Sequence, residues 1–453
     1  MSAASANWKS TETFSDQAKM RYVGLLSYNL DYKYLLDASY SYQGDSRFSK
    51  KFDSFYSIGV AWNLDKESFL ENLDFISRLR LRAGYGLTGN AGIERNQYQE
   101  LISYGSYRDQ PASNIDVYGT DATWEKSKRF DVGAEFSLFD FRLSGSIGFY
   151  SNETTDMLLE VPIPYTKGFV GGRVLQNNGN MINRGLEIEL GGDLLKTTDF
   201  SWYLGGTFST FYNRVKSIPE GGEITEDLYV IHKGHKLREW FLPDWAGVDP
   251  ANGDPLWYKD RTQSEETTNL YSEAKRNYQG TSPLPTFNSS LNTSIKFKNI
   301  FLEATLFYSG GNQIYDFKQN YTMTTSGSTF SEQSFMQKVY DQAWREPGDV
   351  AEFPRFDYND SKVSSATNNS THFLYDGDYI RLRDITLGYN FNKEFVQQLK
   401  LEALNVSIQA QNLWTWVKDK DLDWDPEVPV SIGQIFYTTP PVKSIVFNLN
   451  LKF

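Results

Sequence analysis

Along most of this chain apolar and polar side chains alternate with a period of two. In the last stretch, Ser444 to Phe453, Ile445, Phe447, Leu449, Leu451 and Phe453 fall on one side of a strand, and Ser444, Asn448, Asn450 and Lys452 fall on the other. A soluble sandwich strand alternates too, so one segment does not choose between a protein core and lipid as its apolar solvent. Repetition chooses. Segments of about ten residues with the same alternation, rich in Tyr, Phe and Trp, recur about a dozen times upstream, and that recurrence is the signature of a transmembrane β-barrel.

Met1 to Lys19 is small, polar and aperiodic and reads as loop. Met20 to Leu30 sets Tyr22, Leu26, Tyr28 and Leu30 against Arg21, Ser27 and Asn29. After a tight turn at Asp31-Tyr32-Lys33, Leu35 to Gln43 sets Leu36, Ala38, Tyr40 and Tyr42 against Asp37, Ser39, Ser41 and Gln43, which predicts a hairpin. A charged loop, Gly44 to Asp53, precedes a strand over Phe55 to Leu64. Lys66 to Ser77 has helical spacing at Phe69, Leu70 and Leu73. The next strand places Leu79, Leu81, Ala83, Tyr85 and Leu87 opposite Arg78, Arg80, Arg82, Gly84 and Gly86. A long polar loop then runs to Thr123. Strands are predicted over Phe130 to Leu138, Phe141 to Tyr150, Leu186 to Leu190, Trp202 to Tyr212, Phe287 to Phe297, Phe301 to Tyr308, Tyr379 to Phe391, Val406 to Leu413 and Val442 to Phe453. The connections Lys216 to Pro285 and Gly310 to Gly377 are far longer than compact domains use, which marks them as functional. Glu332 to Glu346 has a helical pattern.

Connections therefore alternate between short and long. Outer-membrane barrels do this because one set of turns faces the periplasm and the other makes extracellular loops. The expected fold is all-β, an antiparallel transmembrane β-barrel of about 13 strands with long extracellular loops and short periplasmic turns. The first turn is short and the C-terminus falls on the short-turn side as well, so the first strand runs inward from outside. Residues 1–19 are then expected to be an extracellular loop remnant, and residues 20–453 the C-terminal part of a larger barrel whose two edge strands pair with something else. Girdle aromatics such as Tyr40, Tyr42, Trp62, Phe149, Trp202 and Tyr212 belong at the two membrane interfaces.

Composition sharpens this. Aromatics make up 16% of the 453 residues, yet hydrophobic residues reach only 40% and the mean hydropathy is −0.52. Half of each strand facing water reconciles the two figures. No run approaches the about 18 apolar residues of a spanning helix, so any crossing is by strands. A net charge of −12 argues against a nucleic-acid partner, and the absence of cysteine excludes disulfides and thiolate metal sites. The N-terminus has no basic region followed by an apolar core, so an export signal is expected on sequence outside these residues.

Several segments, in order, carry a family resemblance. They are Tyr34-Leu35-Leu36 with Gly44-Asp45-Ser46-Arg47-Phe48, the strand Leu79 to Asn90, Asn177-Asn178-Gly179 with Asn183-Arg184-Gly185-Leu186-Glu187, Ala246 to Pro250, Tyr379 to Tyr389, and Gln411-Asn412-Leu413. Together they resemble the SusC-like (SusC/RagA) branch of TonB-dependent outer-membrane transporters. The resemblance implies an outer-membrane barrel of about 22 strands, filled by an N-terminal plug and energised through the TonB complex. It also implies a SusD-like surface lipoprotein that captures glycans or peptides. Plug, TonB-contacting segment and about nine strands lie outside this chain on that reading. Phe447, Leu449, Leu451 and Phe453 look like the terminal signal read by the barrel-assembly machinery.

Candidate chemistry is sparse. Arg78, Arg80, Arg82, Arg129 and Arg142 are expected to face the lumen, where they would hold an acidic plug surface or line a solvated wall. Trp240, Trp245, Trp257 and Tyr258 crowd one long loop beside Asp244 and Asp249. Rings beside carboxylates suit sugar recognition, against the plainer alternative that they pack the loop. Oligosaccharide is the expected cargo. Asp249, Asn252 and Asp254 are spaced like part of a Ca²⁺ loop but lack its terminal Glu, so an Asx-rich turn is favoured. His232 and His235 have no evident third ligand, and no metal or cofactor is expected. No carboxylate pair stands out for a glycosidase, so the chain is read as a non-enzyme. A barrel that only anchors partners is the remaining alternative.

Overall fold

The computed structural model describes residues 17–92, 101–107, 110–117, 119, 121–164, 166, 172–218, 223–317, 322–326, 335–427, 433–436 and 439–453. The loop expected at residues 1–19 lies almost wholly outside the described residues. Among the described residues, period-two alternation becomes a 14-stranded sheet, thirteen strands of which pair in one unbroken antiparallel path. In chain order these are Lys19–Leu30, Tyr34–Asp45, Phe52–Asn63, Ile76–Asn90, Glu125–Leu138, Leu143–Thr155, Asn180–Lys196, Phe200–Thr210, Phe287–Phe297, Ile300–Gly310, Tyr379–Asn390, Ala403–Val417 and Ser444–Lys452. The fourteenth, Tyr212–Ser217, continues the ladder onto Asn180–Arg184 above the wall. Within this chain Lys19–Leu30 and Ser444–Lys452 are the two edges of the path.

Register joins the apolar positions into rows. Val60 pairs with Ala83, Ala83 with Val132, Val132 with Phe149 and Phe149 with Leu186. Farther along, Leu302, Leu387, Ile408 and Phe447 form another row. Ile58, Val132, Ile147, Leu291 and Leu387 are all exposed. An apolar face this continuous has no use in water, where exposed patches stay within a few hundred Å²; its solvent is lipid. Tyr34 and Trp62 stack at 6.2 Å at the short-turn end, and both donate to the Glu67 carboxylate, at 2.6 and 3.0 Å. Tyr22 pairs with Tyr42 and Tyr40 with Tyr56 nearer the long loops. Aromatic rings with polar tips suit both interfaces.

The short turns are built from non-glycine residues in the left-handed region. Asp31 and Tyr32 have φ of 53° and 54°, with Lys33 N–H donating to Leu30 O at 2.9 Å, the primed turn that matches strand twist. Phe139, Asp140 and Phe141 also have positive φ, so the next strand starts at Leu143 rather than at Phe141. On the lumen face, aromatic rings lie across glycines of neighbouring strands. A Cβ at Gly388 would sit 2.2 Å from the tip of the Phe301 ring, and one at Gly185 only 2.3 Å from the Thr210 carbonyl oxygen.

Several local expectations change. The connector after Asn63 is helical only over the 3₁₀ turn Leu64–Lys66. The polar loop before Thr123 holds a hairpin, Leu101–Tyr107 with Gln110–Val117. The helical pattern at Glu332 to Glu346 yields the short helix Gln337–Gln342, its first residues lying outside the described residues. The two longest connections fold together around Leu228, Trp240, Leu242, Tyr315, Val339, Phe353 and Phe373. Gln313–Asp316 pairs antiparallel with Leu374–Asp376 and parallel with Gln434–Ile435, which ties in the connection before the last strand. Three connections thus make one cap on the long-loop side.

Candidate functional site

Alternation puts Arg78, Arg80 and Arg82 on the lumen face of Ile76–Asn90, and the register of the next strand sets Asp131 and Glu135 beside them. Arg78 Nη2 is 3.6 Å and Arg80 Nη1 4.0 Å from Glu135 Oε2; Arg82 lies 3.5 Å from Asp131 Oδ2 and 3.6 Å from Glu135 Oε1. Arg129 Nε reaches Asp131 Oδ1 at 3.7 Å. The wall supplies its own counter-charges, so the row does not depend on an acidic plug to be paired. These long, solvated pairs contribute about 0–1 kcal/mol each. Arg142 is not in this row, because it closes the turn after Asp140, where its carbonyl accepts the Asp193 N–H at 2.9 Å. It does border, with Arg78, Arg82, Glu135 and Glu189, a hollow of about 560 Å³ at the short-turn end.

Of the aromatic group in the cap, Trp240 and Trp257 are core, while Trp245 and Tyr258 stay half-buried. Trp240 and Trp257 are 0% exposed, so their faces are spent on packing, the plainer of the two readings of these rings. Trp240 lies 4.6 Å from the Tyr229 ring and donates its Nε1–H to Gln313 O at 3.2 Å. Trp257 stands edge-on to Trp245 and to Tyr271, each at 5.4 Å. Trp245, half-buried, leans on His372 at 4.4 Å, and Tyr258 carries the Arg261 guanidinium at 5.0 Å. Asp244 accepts from Asn277 Nδ2 at 2.8 Å and from Gln279 Nε2 at 3.3 Å.

Asp249 caps its own turn, its carboxylate accepting the Ala251 N–H at 2.9 Å, while Asn252 Oδ1 accepts the Asp254 N–H at 2.8 Å. Asp254 is consumed by Arg355 and by Asn269 at 2.7 Å. Burial alone would raise its carboxyl, yet hydrogen bonds from Arg355 and Asn269 hold it below the ordinary range. This is an Asx turn pinned to the other long connection. His235 stacks on Tyr278 at 4.0 Å with Nδ1 3.1 Å from Glu239 Oε2, and His232 lies 5.3 Å away. Among the described residues no group of three or more His, Asp or Glu is placed to hold a metal ion.

Sequence reasoning missed two features. The first is a latch. Arg381, 0% exposed on the lumen face, meets Asp425 Oδ1 at 2.6 Å and Glu427 Oε2 at 2.7 Å, and Arg383 shares Glu427 at 2.8 Å. Two cations two residues apart on a strand and two carboxylates two residues apart in a loop were the available signal. The second is a cleft of about 350 Å³ at the base of the cap. Leu158, Leu159, Ile224, Ile231, Leu237 and Leu284 give it an aliphatic lining, and Glu160, Arg173, Glu226 and Arg238 border it.

The family described as TonB dependent receptor-like, beta-barrel, matches residues 3–413. The chain belongs to that family. Its place is therefore the outer membrane, crossed by strands. TonB-dependent receptor P3 of Formosa agariphila is 26% identical over 468 residues, covering 95% of this chain and 45% of the relative. TonB-dependent receptor SusC of Bacteroides thetaiotaomicron is 25% identical over 463 residues, covering 95% of this chain and 43% of that protein. The chain thus spans less than half the length of these relatives. A solved structure of the RagAB peptide transporter superposes with a TM-score of 0.82 at 25% identity, covering 96% of this chain and 48% of that one. The SusC-like resemblance read from Tyr379 to Tyr389 now has a physical content, since that stretch of the TonB-dependent receptor barrel carries the Arg381 latch.

Proposed function

We propose that this chain forms part of the barrel wall and the ligand-side cap of a TonB-dependent importer that moves an oligomeric nutrient, a glycan or a peptide, across the outer membrane. The observation that carries the reading is the division of one sheet into a continuous lipid face and an ion-paired lumen face, under a cap made of three long connections. Likeness to SusC and to the RagAB peptide transporter supports it. On this reading a SusD-like lipoprotein covers the cap, and TonB acts through a plug supplied by other residues. The open sides of Arg78 and Arg129 face that plug, and the outward Phe447, Leu449, Leu451 and Phe453 are read by the barrel-assembly machinery. The wall and cap perform no bond chemistry. The buried rings of Trp240 and Trp257 lend no support to a glycan over a peptide.

The test is import by host cells lacking the protein, with and without a complementing copy, using labelled oligopeptides and oligosaccharides. Loss of import of one class, restored by the copy and abolished by a protonophore, is expected. Unchanged import of both classes, with the protein present in the outer membrane of the complemented cells, would refute transport in favour of an anchoring role.

A further inference from the structure

We propose that the cleft at the base of the cap is a subsite for a peptide carrying aliphatic side chains, a specification that rests on the import reading above. Val215 lies on the same side of its strand as Asn213, which faces Asn183 across the ladder, so its side chain points lumenward above the wall. Val215, Ile224 and Ile231 form a small buried core there, with Leu159 and Leu237 packed against it. Leu159, Ile224, Ile231 and Leu237 also line the cleft, which therefore opens beside this core.

Three features select a peptide. Among the described residues the lining is aliphatic, from Leu158, Leu159, Ile224, Ile231, Leu237 and Leu284, and holds no aromatic ring on which a sugar face could stack. The border carries both signs, Glu160 and Glu226 with Arg173 and Arg238, which suits a zwitterionic chain with an amine at one end and a carboxylate at the other. The walls include edge strands, Leu158–Pro162 in a two-stranded sheet and Glu223–Thr225 at the end of a four-stranded one, with Arg173 Nη2 donating to Thr225 O at 3.3 Å between them. Edge strands offer main-chain donors and acceptors to an extended peptide, a mode of recognition that a sugar cannot use. At about 350 Å³ the cleft is at the small end of ligand pockets, room for about one or two side chains.

The test is calorimetric titration of the protein purified from outer membranes with the tetrapeptide Lys-Leu-Leu-Glu, with Lys-Gly-Gly-Glu and with maltotetraose. The leucine peptide is expected to bind at least tenfold more tightly than the glycine peptide, with no heat from maltotetraose. Leu284→Trp, which fills the cleft, and Arg173→Glu, at an exposed position, are each expected to weaken it tenfold or more while heat-modifiable mobility on gels stays that of the parent. If Leu284→Trp does not assemble, Arg173→Glu decides alone. Binding of maltotetraose in preference to both peptides, or leucine-peptide affinity unmoved by the substitutions, overturns the proposal. Import separates it from the broader reading. Cells whose peptide import needs the protein but tolerates both substitutions refute the subsite and keep the transporter; cells whose import ignores the protein, while the purified protein binds the peptide through these residues, refute the transporter and keep the subsite.

Discussion

Arg381→Met should release the connection between residues 418 and 443 from the wall. Methionine keeps an apolar stem of similar length, so the substitution removes the charge and its hydrogen bonds more than the packing. Arg381 is 0% exposed and donates to both oxygens of Asp425 at 2.6 Å and to Glu427 at 2.7 Å. Breaking one side of a buried ion pair costs about 3–5 kcal/mol. Two facts reduce this here: the side chains of Asp425 and Glu427 keep 17% and 35% exposure, and Glu427 retains Arg383. About 2–3 kcal/mol remains, a shift of about 30- to 150-fold in the opening equilibrium. Tryptic cleavage after the exposed Lys418 and Lys420 reads that equilibrium when opening is fast relative to cutting. Cleavage there should accelerate by about that factor, with the heat-modifiable barrel intact. Arg383→Met, which leaves Arg381 on both carboxylates, should accelerate it far less. Equal cleavage of Arg381→Met and parent would show that the loop is held by other contacts, such as the Gln434–Ile435 pairing, and the latch argument would be wrong.

Two glycines on the lumen face should differ in tolerance. A Cβ at Gly388 meets only the tip of the Phe301 ring, which swings aside, whereas one at Gly185 meets the fixed Thr210 carbonyl. Gly388→Ala should cost about 1 kcal/mol and Gly185→Ala about 3 kcal/mol in urea unfolding from lipid vesicles; the reverse order would contradict the geometry. His372 sits against Trp245, Phe353 and Phe373, and this burial, with Lys338 nearby, pushes its pKa down to about 3 from 6.5. The unfolded cap therefore takes up the proton first as pH falls. Cap stability should be full above pH of about 6.5 and decline toward the folded value, by at most about 1.4 kcal/mol per pH unit and by less for a ring that keeps some solvent. Trp fluorescence of the cap followed against urea at pH 7 and pH 5 should show the decline in the parent and lose it in His372→Phe; parallel slopes would place the dependence elsewhere.

The sequence by itself determined the wall. Alternation such as Leu36, Ala38, Tyr40 and Tyr42 against Asp37, Ser39 and Ser41 is a property of neighbouring residues, and so is the turn at Asp31 and Tyr32, so strand existence, the apolar face and the alternation of short and long connections could all be read locally. The Phe287–Phe297 strand was legible to its last residue for that reason. Register and distant partners were not local. Only pairing between strands set Asp131 and Glu135 beside the arginine row, and a slip of one residue would have turned both away. A three-residue run of positive φ moved Arg142 out of that row and into a turn. The cap was the least legible part, because Trp240 has the same sequence character whether its ring is offered to a ligand or enclosed. Contacts between two connections separated by whole strands decided that it is enclosed. The Arg381 latch and the aliphatic cleft likewise join residues far apart in the chain, Arg381 with Glu427 and Leu159 with Leu284; equal spacing of two cations and of two carboxylates marks the halves of the latch without pairing them, and the cleft has no such mark.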